Sequence, residues 1–269
     1  MGVVNVTPDS FSEPGRYVDA AAAIAHGRAL TAAGADILDV GGEATNPRAT
    51  AVSAAVELAR VMPVIEGLVA TGAVVSIDTT KAVVAAAALA AGAHIVNDVS
   101  GGRFDPDIFE VTAAGGGAYV CGHLRAASLA TVFIDEAAVS WREIADELGA
   151  RLAAMPAALR QRTVVDPGLG FGKGDHHANA LLCAHAGDLA RDLGRPVLVG
   201  PSRKRFITRL LGAMTTTTPA AAAMALDAGS VGACLAAVAA GAHVVRIHDV
   251  SLLRPALAVY TEIDRARSP

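Results

Sequence analysis

The side chains of this 269-residue chain that can do chemistry recur at one kind of place, the ends of short apolar runs. Asn5, Thr7 and Asp9 close the first run; Asp39, followed by Gly41-Gly42-Glu43, closes the second. Asp78-Thr79 and Asn97-Asp98 end the third and fourth, His123 and Arg125 the fifth, and Asp166 the sixth. Ser202-Arg203-Lys204 follows the seventh, and Arg246, His248 and Asp249 stand on the eighth. Arg246 and His248 are two apart on an extended run, so they share a face. Two donors there suit an anion, or else a salt bridge. The Asn5 amide suits a metal or a phosphate oxygen. Asp166 opens the stretch Asp-Pro-Gly-Leu-Gly-Phe-Gly-Lys, ending at Lys173. This Gly-rich loop lacks the Gly-Lys-Ser/Thr ending of a phosphate-binding loop and the spacing of a dinucleotide fingerprint.

The elements that must position these residues alternate. β-Branched runs at Gly2–Val6, Ala35–Val40, Val74–Asp78, His94–Val99, Ala118–Gly122, Thr163–Asp166, Pro196–Gly200 and His243–His248 read as eight strands. Between them, Asp19–Ala33, Ser53–Val69, Thr80–Ala91, Trp141–Ala154, Asn179–Leu193 and Ala220–Ala240 carry apolar residues at helical spacing. Repeated strand–helix alternation predicts parallel strands joined by crossover helices. Eight such units in about 250 residues predict an α/β fold, a single (β/α)8 TIM barrel, with the polar strand ends gathered at one mouth. An Ala-Gly-Ala echo begins at Ala33, Ala91 and Ala240, each time just before a strand. A glycine there takes the left-handed helix-ending conformation at little cost. No linker or composition break divides the chain, so residues 1–269 are expected to form a single domain.

Composition narrows the classes. Hydrophobic residues make up 53% and charged residues 18%, with mean hydropathy +0.44, which excludes a disordered chain. The longest window without Asp, Glu, Lys or Arg, Ala228–Val245, owes its apolarity largely to Ala and reads as a small-residue helix entering a strand. Net charge is −4 and no long basic run is present, so no nucleic-acid partner is expected. Cys121, Cys183 and Cys234 have neither zinc-ligand nor disulfide-framework spacing and are read as buried apolar residues. The N-terminus lacks the pattern of a signal peptide, and Val6 stands where myristoylation wants Ser or Thr; a cytoplasmic location is expected.

Seven motifs in order resemble those of the dihydropteroate synthase family, folate-pathway enzymes that sulfonamide drugs target. They are Asn-Val-Thr-Pro-Asp-Ser-Phe-Ser at 5–12, Asp-Val-Gly-Gly-Glu at 39–43, Ser-Ile-Asp-Thr at 76–79 and Asn-Asp-Val-Ser-Gly at 97–101. The Gly-rich stretch at 166–173, Ser-Arg-Lys at 202–204 and Arg-Ile-His-Asp at 246–249 complete the set. The resemblance spans nearly the whole chain and implies a pterin-binding TIM barrel. It implies a transferase that joins 6-hydroxymethyl-7,8-dihydropterin diphosphate to p-aminobenzoate, giving 7,8-dihydropteroate and diphosphate. It places the pterin on Asp78, Asn97, Asp166 and Lys204, where carboxylate and amide oxygens match the ring donors. Asn5, Arg246 and His248 would hold the diphosphate, with Mg²⁺ on Asn5. Phe171, Ser202, Lys204 and Arg205 would border the p-aminobenzoate pocket. Asp9, Phe11, Glu13 and Thr45 lie on the two loops that would close over the site. Departure of diphosphate before attack would leave a cation delocalised into the dihydropterin, so catalysis would be electrostatic. Asp9, Asp78, Lys204, Arg246 and His248 are the residues implied to carry it. A homodimer through late helices is implied as well.

The chain departs from the family in one place that matters. The second loop usually reads Gly-Gly-Glu-Ser-Thr-Arg-Pro-Gly; here it reads Gly-Gly-Glu-Ala-Thr-Asn-Pro-Arg, with Asn46 in place of the usual Arg and Arg48 two positions on. Glu13 stands where Asp is frequent and keeps the charge. Two other readings share the pterin acids: a methyltetrahydrofolate-type methyltransferase, which would not need the Ser-Arg-Lys and Arg-x-His cations, and a catalytically weak or silent pterin-binding paralogue.

Overall fold

A computed structural model describes residues 1–7, 19–45, 51–133, 139–215 and 218–267. Asp9, Phe11, Glu13, Asn46 and Arg48 lie outside the described residues.

Eight short parallel strands follow the apolar runs: β1 Gly2–Asn5, β2 Leu38–Gly41, β3 Val75–Asp78, β4 Ile95–Asp98, β5 Ala118–Gly122, β6 Thr163–Asp166, β7 Leu198–Val199 and β8 Val244–Val245. β1 to β6 pair in chain order, and β7 pairs with β8. Two isolated parallel bridges, Val165 with Val197 and Gly2 with Ile247, span the β6–β7 and β8–β1 gaps. The backbone follows them, with Val165 N donating to Pro196 O and Ile247 N to Met1 O. This is the TIM-barrel arrangement, its ladder thinned to single bridges at two seams.

Helices fill the crossovers: α1 Ala20–Ala32, α2 Ala54–Val69, α3 Ala82–Ala90, α4 Ile108–Ala114, α5 Trp141–Ala154, α6 Ala157–Arg160, α7 His176–Ala184, α8 Ala186–Leu193, α9 Arg205–Leu211, α10 Pro219–Ala239 and α11 Val250–Arg267. Local chemistry sets several starts. Asp19, Ser53, Asp175 and Thr218 each accept an orphan amide of the first turn, and Ser140 with Glu143 forms a capping box. The Ala-Gly-Ala echo ends helices as expected: Gly34, Gly92 and Gly241 have φ of +97°, +97° and +99°.

One helix departs from the sequence expectation. Asn179–Leu193 reads as continuous, yet the chain breaks at His185 between α7 and α8. Gly187 N donates out of the helix to Ala240 O at 2.7 Å, and a Cβ at Gly187 would meet that oxygen at 2.4 Å. The break lets α8 approach the α10–β8 turn. All three cysteines are buried and free. α10 is the one helix among the described residues long and apolar enough to cross a membrane. Its apolarity is mostly alanine, and it packs along α9 and α11.

Register decides where the polar ends fall. Asn5 pairs with Gly41, Gly41 with Asp78, and Asp78 with Asn97, so these side chains form one layer at the mouth. Asp39 pairs with Val3 and Ser76, one layer deeper.

Candidate active site

The floor of the mouth is an ion-pair network among strands remote in sequence. Asp39, fully buried, accepts on Oδ2 from Arg246 Nε at 2.6 Å and from Asn97 Nδ2 at 2.9 Å. Arg246 Nη2 donates to Asp78 Oδ2 at 2.9 Å. Burial pushes the Asp78 carboxyl up to about 7; Arg246 opposes the shift and Asp39 adds to it. Donation to Asp39 fixes which way the Asn97 amide faces and leaves its oxygen to accept. The strand 3 and strand 4 residues therefore present acceptors, and Arg246 lies beside them.

The second wall comes from the Gly-rich loop. Asp166 Oδ1 accepts from Gly168 N at 2.7 Å and turns its own loop. Two lysines hold that loop. Lys204 Nζ donates to Leu169 O and lies 4.5 Å from the centre of the Phe171 ring. Lys173, buried, donates to Phe171 O at 2.9 Å and His123 O at 2.8 Å. Burial pulls Lys204 down to about 8 and Lys173 to about 7, each opposed by Asp166. Lys204 is aimed by a strained neighbour. Arg203 has φ +56°, a conformation that costs a non-glycine residue about 1–2 kcal/mol. It is held there by Ser230 Oγ, which accepts Arg203 N at 2.9 Å, and by two bonds to Asp227.

At the third side, Ser202 Oγ accepts His248 N at 3.1 Å and lies 2.8 Å from His248 Nδ1. A hydroxyl that donates to Nδ1 leaves the ring proton on Nε2. Burial, with Arg246 and Arg203 nearby, lowers His248 to about 4, so it acts as a neutral donor near pH 7. Asn5 makes no side-chain hydrogen bond to any described residue. No group of three His, Cys, Asp or Glu side chains could hold a metal among the described residues.

These surfaces enclose one cavity of about 420 Å³. It is lined by Asn5, Thr45, Asp78, Asn97, Asp166, Phe171, Ser202, Lys204, Arg205, Arg246 and His248 together, so the structure gathers every expected site residue that it describes. Of the implied catalytic residues only Asp9 lies outside the described residues. The volume is that of a small-molecule site. Sequence reasoning missed three contributors. Asp39 reads in the sequence as a polar strand end, but its contacts run to Asn97 on β4 and to Arg246 beyond β8. Lys173 closes the Gly-rich motif, and its buried ammonium ties that loop to His123 O after β5. Phe133 lines the cavity from the segment after β5, its ring 6.2 Å from that of Phe171 and beneath the Arg205 guanidinium at 5.9 Å. No spacing signal marks it.

The family model described as "pterin binding enzyme" matches residues 1–248. This chain belongs to that family. Among curated relatives, the dihydropteroate synthase of Mycobacterium leprae is 45% identical over 270 residues, covering 96% of this chain and 91% of the relative. A Xanthomonas albilineans dihydropteroate synthase solved with 4-aminobenzoic acid superposes with a TM-score of 0.86 at 40% identity, covering 100% of this chain and 93% of that one. The Xanthomonas albilineans enzyme in complex with 7,8-dihydropteroate gives 0.82 at 40% identity, with 100% and 94% covered. In this pterin binding enzyme, then, the anion-or-salt-bridge alternative for Arg246 has a structural answer. It is ion-paired to Asp39 and Asp78, and any anion must share it with those acids.

Proposed function

We infer that this pterin binding enzyme is a dihydropteroate synthase: it joins 6-hydroxymethyl-7,8-dihydropterin diphosphate to p-aminobenzoate and releases diphosphate and 7,8-dihydropteroate. The observation that carries the reading is the single cavity in which acceptors on β3, β4 and β6 face the cations Lys204 and Arg246 and the donor His248. Asp78, the Asn97 oxygen and the free oxygen of Asp166 match the amine and ring N–H groups of a pterin edge. Lys204 matches the ring carbonyl or N5. Arg246, His248 and Asn5 stand where the diphosphate would lie.

The carbon–oxygen bond to diphosphate breaks first and its electron pair leaves with the diphosphate oxygen. Charge delocalises into the dihydropterin, beside Asp78 and Asp166. The arylamine nitrogen then bonds to the exocyclic carbon and loses a proton. Arg246 and the neutral His248 donate to the departing oxygens, an interaction that strengthens as charge develops. Phe171 and Phe133 form an aromatic wall for the arylamine.

Asn5 fits Mg²⁺ as a single amide-oxygen ligand, since Mg²⁺ keeps most of its waters and takes phosphate oxygens. When bound, the ion would neutralise diphosphate charge. Late helices support a homodimer. Leu210 on α9, Met214, Met224 on α10, and Val259 and Ile263 on α11 are all more than half exposed, and the helices that carry them pack side by side. A soluble, cytoplasmic, single-domain enzyme completes the reading.

Incubation with both substrates and Mg²⁺ is expected to yield 7,8-dihydropteroate and diphosphate in equal amounts. Pterin binding without product would overturn the assignment. Met224→Glu is expected to shift the light-scattering mass toward one chain; an unshifted mass would remove this face from the interface.

A further inference from the structure

One carboxylate of the cavity wall, Glu43, belongs to an ion cluster that the reaction above does not use. Lys81 Nζ, just before α3, donates to Glu43 Oε2 at 2.7 Å and to Glu57 Oε2 at 2.6 Å. Glu57 projects from the first turn of α2 and is fully buried; Glu43 follows β2 and is nearly so. The other Glu43 oxygen accepts Val52 N at 2.9 Å. Arg60, also on α2, donates to Gly42 O at 2.8 Å. A Cβ at Gly42 would lie 2.7 Å from Val61 Cγ1, so this turn is pressed against α2.

Stability alone is a weak reason for such a cluster. One ammonium serves two largely buried carboxylates, and Glu57 Oε1 has no partner among the described residues. A buried ion group of this kind roughly breaks even against apolar side chains of the same volume. Its geometry is specific instead. Residues 43 and 52 are the two stems of the loop between β2 and α2, and the Glu43 carboxylate bonds one stem to the other while Lys81 fixes that carboxylate. Glu43, Ala44 and Thr45, on the first stem, line the cavity with Phe171 and Phe133. The pterin acceptors, by contrast, sit on strands held by the barrel ladder.

We propose that Lys81 is a positioning residue for the arylamine: acting through Glu43, it closes the stems of the β2–α2 loop and so sets the cavity wall that Thr45 contributes. The proposal rests on the dihydropteroate reading above.

The test is Lys81→Met/Glu57→Gln, which removes the bridge but keeps the cluster at one negative charge. Its KM for p-aminobenzoate is expected to rise about tenfold, and its kcat/KM to fall at least as much, since a misplacement of about 1 Å can cost up to about 100-fold in rate. Binding of the pterin diphosphate alone, by calorimetry, is expected to stay within about threefold. Lys81→Arg, which retains two donors, is expected to restore most of the arylamine KM. Should the double variant fail to fold, Glu43→Gln, with Lys81 and Glu57 both retained, is read in the same way. An unchanged arylamine KM, or an equal loss for both substrates, overturns the clamp alone. Absence of product from the unaltered enzyme overturns the dihydropteroate reading, and the clamp with it.

Discussion

Replacing Asp39 tests whether the floor network organises the site. Its Oδ2 accepts two bonds, one from the Arg246 guanidinium at 2.6 Å and one from Asn97 at 2.9 Å, in a fully buried setting. A hydrogen bond to a charged group contributes about 1.5–3 kcal/mol, against about 0.5–1.5 kcal/mol between neutral groups. Asp39→Asn keeps the shape and one neutral acceptor, and Arg246 retains Asp78. The expected loss is about 2 kcal/mol. At about 2–4 °C per kcal/mol for a chain of this size, the midpoint should fall about 4–8 °C. Asp39→Ala leaves both donors short of a partner and adds a cavity, for about 3–5 kcal/mol. Ser76→Ala serves as the control. Ser76 pairs with Asp39 across the sheet, is equally buried, and its hydroxyl has no partner among the described residues, so its loss should be close to neutral. Scanning calorimetry gives the midpoints, and titration with the pterin diphosphate reports whether Asn97 and Arg246 stay oriented. Asp39→Asn with an unshifted midpoint and unchanged pterin affinity would refute the network as an organising element.

Two pH-linked outcomes follow from the same cavity. The Asp78 carboxyl, held up to about 7 mainly by burial, must ionise to accept the pterin donors fully, so pterin affinity should climb as the pH rises toward about 7 and level off above it. A flat profile would reject this role for Asp78. Lys173, lowered to about 7 by burial, binds fewer protons folded than unfolded above that pH. Its contribution to stability should therefore rise from about pH 7 toward the ordinary lysine range, and the stability of wild type relative to Lys173→Met should grow over that interval. Equal pH profiles for the two proteins in chemical denaturation would contradict it.

Much of this architecture was legible in the residues themselves. Two strands, β5 and β6, match their sequence-read limits residue for residue, because a short apolar run bounded by Gly or a polar pair leaves little choice of start or stop. The Ala-Gly-Ala echoes announced three helix ends, since only glycine reaches φ near +97° there without strain. The polar strand ends pointed to the mouth because a parallel barrel places every strand C-terminus on one side. Local periodicity failed at His185, where a tertiary acceptor, Ala240 O, outcompeted the helical one for Gly187 N.

What the sequence determined by itself is the alternation of elements, the side of the barrel that bears chemistry, and the residue types available there. Only the tertiary structure decided which of them touch. Arg246 meets Asp39 and Asp78 across separations of 207 and 168 residues, and Lys81 meets Glu43 and Glu57 across 38 and 24. Those pairings depend on strand register and barrel closure, which bring distant strand ends within about 3 Å. No local pattern encodes that distance, and at it a buried charge finds the partner without which its burial would be prohibitive.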